Sequence, residues 1–166
     1  MLRVTADVKE NDSGLQGAVG DLLELAGLQV LVGIPEEKDS REDGQIGNAT
    51  LMYIHSNGSP INNIPARPVI EPALENDKER IGQVMGDAVK AAMDNDIDGA
   101  RKHLERAGMA GQNAARDWFT NPANGFEPLL PETARRKQQR GADIERPLID
   151  TGALRSAITY VVEDKS

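Results

Sequence analysis

Cysteine is absent from the chain. That excludes a disulfide scaffold and thiol chemistry, and fits a reducing compartment such as a bacterial cytoplasm. Aromatic residues make up only 3% of the sequence. The core must therefore be aliphatic and alanine-rich. No run of about 18 apolar residues occurs, so no membrane span is expected. The first residues alternate polar and apolar, which a secretory signal does not do. Histidine occurs only as His55 and His103, and two isolated histidines without cysteine do not make a zinc site. A nucleophile elbow, a nucleotide loop and a paired-histidine helix are all missing. No catalysis, cofactor or metal is expected. His55 is the single general-base candidate, and a hydrogen-bonded structural histidine is the commoner role for such a residue.

Basic charge is also scarce. The net charge is −8, divided as −6 over residues 1–60, −3 over 61–130 and +1 over 131–166. Tight wrapping by nucleic acid needs phosphate neutralisation, which this balance does not supply. Passage of DNA along such a surface without sticking is compatible with its sign.

The 166 residues fit one domain with a real core. Leu2, Val4, Ala6 and Val8 alternate with polar residues, the pattern of a half-buried strand. Ser13 and Gln16 have capping-box spacing. Leu15, Val19, Leu22 and Ala26 then recur at helical spacing up to Gly27. Gly14, Gly17 and Gly20 match neither a dinucleotide fingerprint nor a Walker loop. Glycines three apart share a helix face and permit close packing. Residues 28–34 read as a second strand. A parallel crossover and a short antiparallel return both fit this strand–helix–strand order. Residues 36–47 are crowded with charge and read as a mobile, solvated loop. Asn48 to His55 reads as a short helix burying Leu51, Met52 and Ile54, ended by the turn Asn57–Pro60.

Residues 60–74 form a proline-rich strap. Pro65, Pro68 and Pro72 fix φ and remove three donors, and push Ile64, Arg67 and Glu71 toward extended geometry. A stiff apolar segment carrying one arginine suits docking on a surface, either a crossover within the domain or a neighbouring subunit. Residues 75–119 read as a helical hairpin broken at Asp94–Asp96, with Asp96 able to cap the second helix. Small residues at 107, 108, 110, 111, 114 and 115 are expected to let the two helices approach closely. Trp118 and Phe119 read as core anchors. Residues 121–147 read as an extended loop region that contains Pro128–Pro131 and the basic cluster Arg135, Arg136, Lys137 and Arg140. That cluster is either a solvated helix end, where cations are favoured, or a contact for an acidic partner surface or DNA. Asp150 or Thr151 can cap a short helix through Ala157, and Ile158, Tyr160 and Val162 alternate as a final strand. The expected fold is α+β: a small, mainly antiparallel sheet packed against a long helical hairpin, with additional short helices.

Two blocks carry a resemblance. His55-Ser56-Asn57-Gly58 with Asn63-Ile64-Pro65-Ala66-Arg67-Pro68 is the first, and Pro147 to Tyr160 (PLIDTGALRSAITY) is the second. Their order and spacing over about residues 28–162 resemble the virion morphogenesis, minor tail, neck or tail-completion proteins of long-tailed bacteriophages. The family usually has an acidic and an aromatic residue where Ser56 and Asn57 stand, and an aromatic residue at Val69. The resemblance implies a structural virion component acting at the head–tail junction or the head-proximal end of the tail. It also implies a homo-oligomeric ring, six-fold to match a tail, beside neck, connector and tail proteins. The chain would be made in the host bacterial cytoplasm and end in the virion. Tail terminator or minor tail tube component is the alternative, and a small hydrolase using His55 is the alternative from another class. Ile64, Pro65, Arg67, Pro68, Arg135, Arg136, Lys137 and Arg140 are the expected interface residues.

Overall fold

The computed structural model describes residues 12–41 and 46–165. The strand expected at Leu2–Val8 lies outside the described residues. Helix α1 (Asp12–Ala26) ends at Gly27, whose N–H donates to the carbonyls of Leu23 and Glu24 at 3.1 and 3.0 Å. Strand β1 (Leu28–Gly33) follows at once, and pairs antiparallel with β2 (Thr159–Asp164) near the other end of the chain. The register sets Leu28 opposite Asp164 and Val32 opposite Tyr160. Alternation puts Leu28, Val30 and Val32 on the inner face and leaves Leu31 and Val161 outside. Both outer residues are exposed.

Between these strands every further element among the described residues is a helix. Helix α2 spans Asn48–Asn57, and α3 (Ile70–Asn76) leads into the hairpin of α4 (Lys78–Met93) and α5 (Ile97–Trp118). The hairpin turns where its sequence breaks. Asn95 takes a left-handed φ of 60°, and the Asp96 carboxylate accepts the Gly99 N–H at 2.8 Å as a true N-cap. Gly17 of α1 abuts this turn, since a Cβ there would lie 2.1 Å from Asn95 Oδ1.

Helices α4 and α5 pack along one another, and the two glycines on the small-residue face of α5 also admit other elements. A Cβ on Gly108 would lie 2.2 Å from the Tyr160 ring, and one on Gly111 would lie 2.9 Å from Val32 Cγ2, 3.1 Å from Leu74 Cδ2 and 4.0 Å from Ile81 Cδ1 of α4. The glycines therefore let the sheet and α3 reach the helix backbone. Ala88 of α4 and Leu104 of α5 share a cluster with Leu28 of β1.

The strap is extended over a shorter span than predicted. Residues 60–62 form a 3₁₀ turn and α3 begins at Ile70. Glu71 is helical despite preceding Pro72, because a proline in the first turn sacrifices only an N–H that has no intrahelical partner. The 121–147 region is likewise not extended throughout. It contains α6 (Pro131–Gln139), started by Pro131 at its first position. Within the charged segment 36–47, residues 36–38 form a 3₁₀ turn that is tied to α2. The buried Asn48 amide donates to Lys38 O at 2.9 Å, and the Asp39 carboxylate accepts the Ala49 N–H at 2.6 Å. Helix α7 (Ala153–Ala157) precedes β2, and the Thr151 hydroxyl accepts the Ala153 N–H at 3.3 Å.

The larger core cluster joins Met52, Val69, Ala73, Ala115, Trp118, Phe119, Leu148, Leu154 and Ile158. It contains Trp118 and Phe119 as anchors and is otherwise aliphatic, as the composition requires.

Candidate functional site: the strap and its surface

The second block enters this larger core, together with the residue that follows the first. Val69, just after the first block, and Leu148, Leu154 and Ile158 of the second are all buried in it. Helix α7 packs on α2. The strap crosses this junction on the outside, pinned at both ends.

At its start, Gly58 takes φ 72°. A Cβ there would sit 2.8 Å from Ala66 N and 2.9 Å from Ile64 O, so both conformation and space demand glycine. Ser59 and Ile64 exchange backbone hydrogen bonds of 2.8 and 2.9 Å, which close a small hairpin with Ile61 at its tip. Ile61 is 98% exposed.

At its end, the Arg67 N–H donates to His55 O at 2.6 Å. The Arg67 guanidinium turns inward and is 5% exposed. Its Nη2 donates to Glu127 O at 2.9 Å and Pro128 O at 3.3 Å, and Nε donates to Glu127 O at 3.3 Å. Burial lowers its pKa, while the Glu127 charge acts in the opposite direction. Arg67 thus serves within the subunit, as a clamp between the strap and the 126–130 loop. It is not a surface contact.

His55 lies behind this clamp. Its Nδ1 is buried and has no hydrogen-bond partner among the described residues. Burial first, then the charges of Arg67 and Arg41, hold its pKa below the usual histidine value. Two guanidiniums disfavour the imidazolium that a general base must form. Among the described residues no cluster of three or more histidine, cysteine or carboxylate side chains is placed to hold a metal ion.

The basic cluster divides. Arg135, Arg136 and Arg140 are exposed on and just after α6. Arg136 lies 3.8 Å from Glu132, and Arg140 3.4 Å from Asp150. Lys137 does not belong with them. It is 4% exposed, and its Nζ donates to the carbonyls of Asp143, Arg146 and Ile149 at 2.9, 2.9 and 2.6 Å. Lys137 directly follows the exposed Arg135 and Arg136, yet the helix turns it inward, where it orders the connector to α7.

Sequence reasoning missed two further arginines. Arg116 Nη2 donates to Ile158 O at 2.7 Å, and Arg155 Nε donates to Arg116 O at 2.7 Å, so together they tie α5 to the second block. These two acceptors are backbone carbonyls about forty positions away in the chain, and carbonyls leave no mark in a sequence.

Around the strap the surface is apolar and uneven. One hollow of about 410 Å³ lies between Pro60, Ile64 and Pro65 on one side and Pro128 and Leu130 on the other. A second, of about 540 Å³, runs beside Tyr53 between Ser56 and Pro68. Asn57 borders both. Ile64 and Pro65 are half-buried in the wall of the first, and Pro68 is exposed at the second. Tyr53 is 69% exposed. Further apolar stripes stand open on α1 (Leu15, Val19, Leu23) and α4 (Met85, Val89, Met93).

Compared with family models, curated proteins and solved structures, the chain matches none.

Proposed function

We propose that this chain is a structural virion component of a long-tailed bacteriophage, a neck or tail-completion subunit that assembles at the head–tail junction or the head-proximal end of the tail. One observation carries the reading. The helix that carries the start of the first block packs on the helix within the second, and the strap is tied to the first of these helices. An isolated apolar residue on a surface needs no explanation, whereas a contiguous apolar surface marks an interaction site. Pro65 and Leu130 line one apolar hollow beside the strap, Tyr53 and Pro68 line a second, Ile61 stands exposed at the hairpin tip, and the stripes on α1 and α4 add to this surface. A closed ring uses two different patches on each subunit. In this reading the strap face is one patch and the exposed arginines of α6 belong to the other. Six copies follow from the resemblance alone. The chain works beside neck, connector and tail proteins, and its acidic character lets DNA pass without sticking.

The experiment is proteomics of purified particles from the phage or induced prophage that encodes the chain, together with particles assembled from Ile61→Asp and Tyr53→Asp variants. The reading expects the wild-type chain in the particle and both variants folded but excluded. A chain absent from particles that assemble normally without it overturns the reading.

A further inference from the structure

We propose that His55 is an acid-sensitive latch for the strap: protonation of its buried Nδ1 releases the segment 59–67 from α2. This inference concerns the seat of the strap and holds whether or not the strap face contacts another subunit.

The geometry runs as follows. The strap is joined to α2 at His55 itself, through the bond from Arg67 N–H to His55 O. The ring beside that bond keeps Nδ1 buried with no acceptor among the described residues. A neutral imidazole tolerates this by carrying its proton on Nε2, which leaves only a lone pair to desolvate. A second proton on Nδ1 creates a buried N–H with nothing to receive it, and a buried charge.

Among the described residues, the charged groups that act on the ring are Arg67 and Arg41, and both are cations. Arg67 is itself buried, and its guanidinium bonds are all to carbonyl oxygens. The Glu127 carboxylate acts on Arg67. Helix α7, which packs on α2, has Arg155 as its single ionisable side chain, and that is engaged by Arg116 O and the Asp117 carboxylate. The cheapest way for the protein to hydrate an imidazolium here is to let go of the strap, whose outer side already faces solvent.

The direction follows from linkage. A histidine whose pKa is lowered by folding supports the folded arrangement above its unfolded value of about 6.5, and that support is lost as the pH falls below it.

The test is hydrogen–deuterium exchange of the full chain at about pH 7.5 and about pH 5, corrected for intrinsic exchange, on peptides covering 59–69. The expected result is a loss of protection of about ten-fold or more on acidification in the wild type. The loss should be abolished in His55→Gln and retained in the control His103→Gln. Unchanged protection in the wild type overturns the latch, as does an equal acid loss in His55→Gln. If His55→Gln does not fold, proton NMR titration of the wild-type ring decides. A midpoint below about 6.5 with strap resonances shifting in step supports the latch, and a midpoint at or above that value, or strap resonances that stay fixed, overturns it.

Discussion

The Tyr160 ring lies directly on the backbone of Gly108, so close that a Cβ on the glycine would fall 2.2 Å from Cδ2 of the tyrosine. One turn along α5, Gly111 receives Val32, the cross-strand partner of Tyr160. A cross-strand pair is thus seated on two glycines spaced i and i+3, which share one helix face. The sheet reaches the helix because these two positions have no side chain.

Gly108→Ala is therefore expected to destabilise the domain by about 1–3 kcal/mol through overpacking, and Gly111→Leu by at least as much. Gly82 and Gly86 of α4 have nothing within reach of an added Cβ. Alanine at either should stabilise by about 0.5–1 kcal/mol, because helical glycine is entropically costly. Denaturant midpoints for the four variants check this. A Gly108→Ala midpoint equal to that of Gly82→Ala would place the sheet elsewhere.

The same tyrosine has a signature in alkali. A hydrogen bond to the Glu105 carboxylate, with smaller contributions from burial and the Glu105 charge, raises the Tyr160 pKa. A raised pKa means the contribution is complete below the unfolded value of about 10 and fades as the pH rises through the folded one. With Tyr53→Phe leaving Tyr160 as the one tyrosine, its phenolate absorbance should appear above about pH 10 in the folded protein. Adding Glu105→Gln should bring it lower. An unmoved titration in that double variant counts against the bond.

Arg67 is expected to act on stability first. Arg67→Ala removes the bonds to Glu127 O and Pro128 O and should cost about 1.5–3 kcal/mol. Arg67→Lys should recover only part, because an ammonium lacks the planar fork that spans two adjacent carbonyls. Thermal melts of the three proteins decide it, and a wild-type melt for Arg67→Ala contradicts the clamp.

The basic segment should behave as two populations. Lys137→Met leaves three carbonyls without their donor and is expected to cost at least about 2 kcal/mol. Arg135→Glu with Arg136→Glu lies on the exposed side of α6 and should change stability by less than about 0.5 kcal/mol per site. Incorporation of that double variant into particles, relative to its unchanged melt, then measures an assembly role without unfolding. A stable Lys137→Met protein would refute the carbonyl cage.

Much of this molecule is written locally. Leu28–Gly33 and Thr159–Asp164 alternate, Asp96 stands ready to cap, the break at residues 94–96 divides two amphipathic helices, and absent aromatics force an alanine-rich core. These features depend on neighbours a few positions away, so the sequence by itself determined the α+β class, most elements and the hairpin. Tertiary structure decided what each face meets. The small residues of α5 say only that something comes close, and the fold chose Tyr160 and Val32. Arg135, Arg136 and Lys137 are consecutive and look alike in sequence, and the helix phase at α6 alone turned Lys137 inward. Arg67 and Arg116 end on carbonyl oxygens 60 and 42 positions away, and Lys137 on three that lie 6 to 12 positions further along. Every residue carries the same carbonyl, so which one a buried cation meets is settled only when the whole backbone is in place.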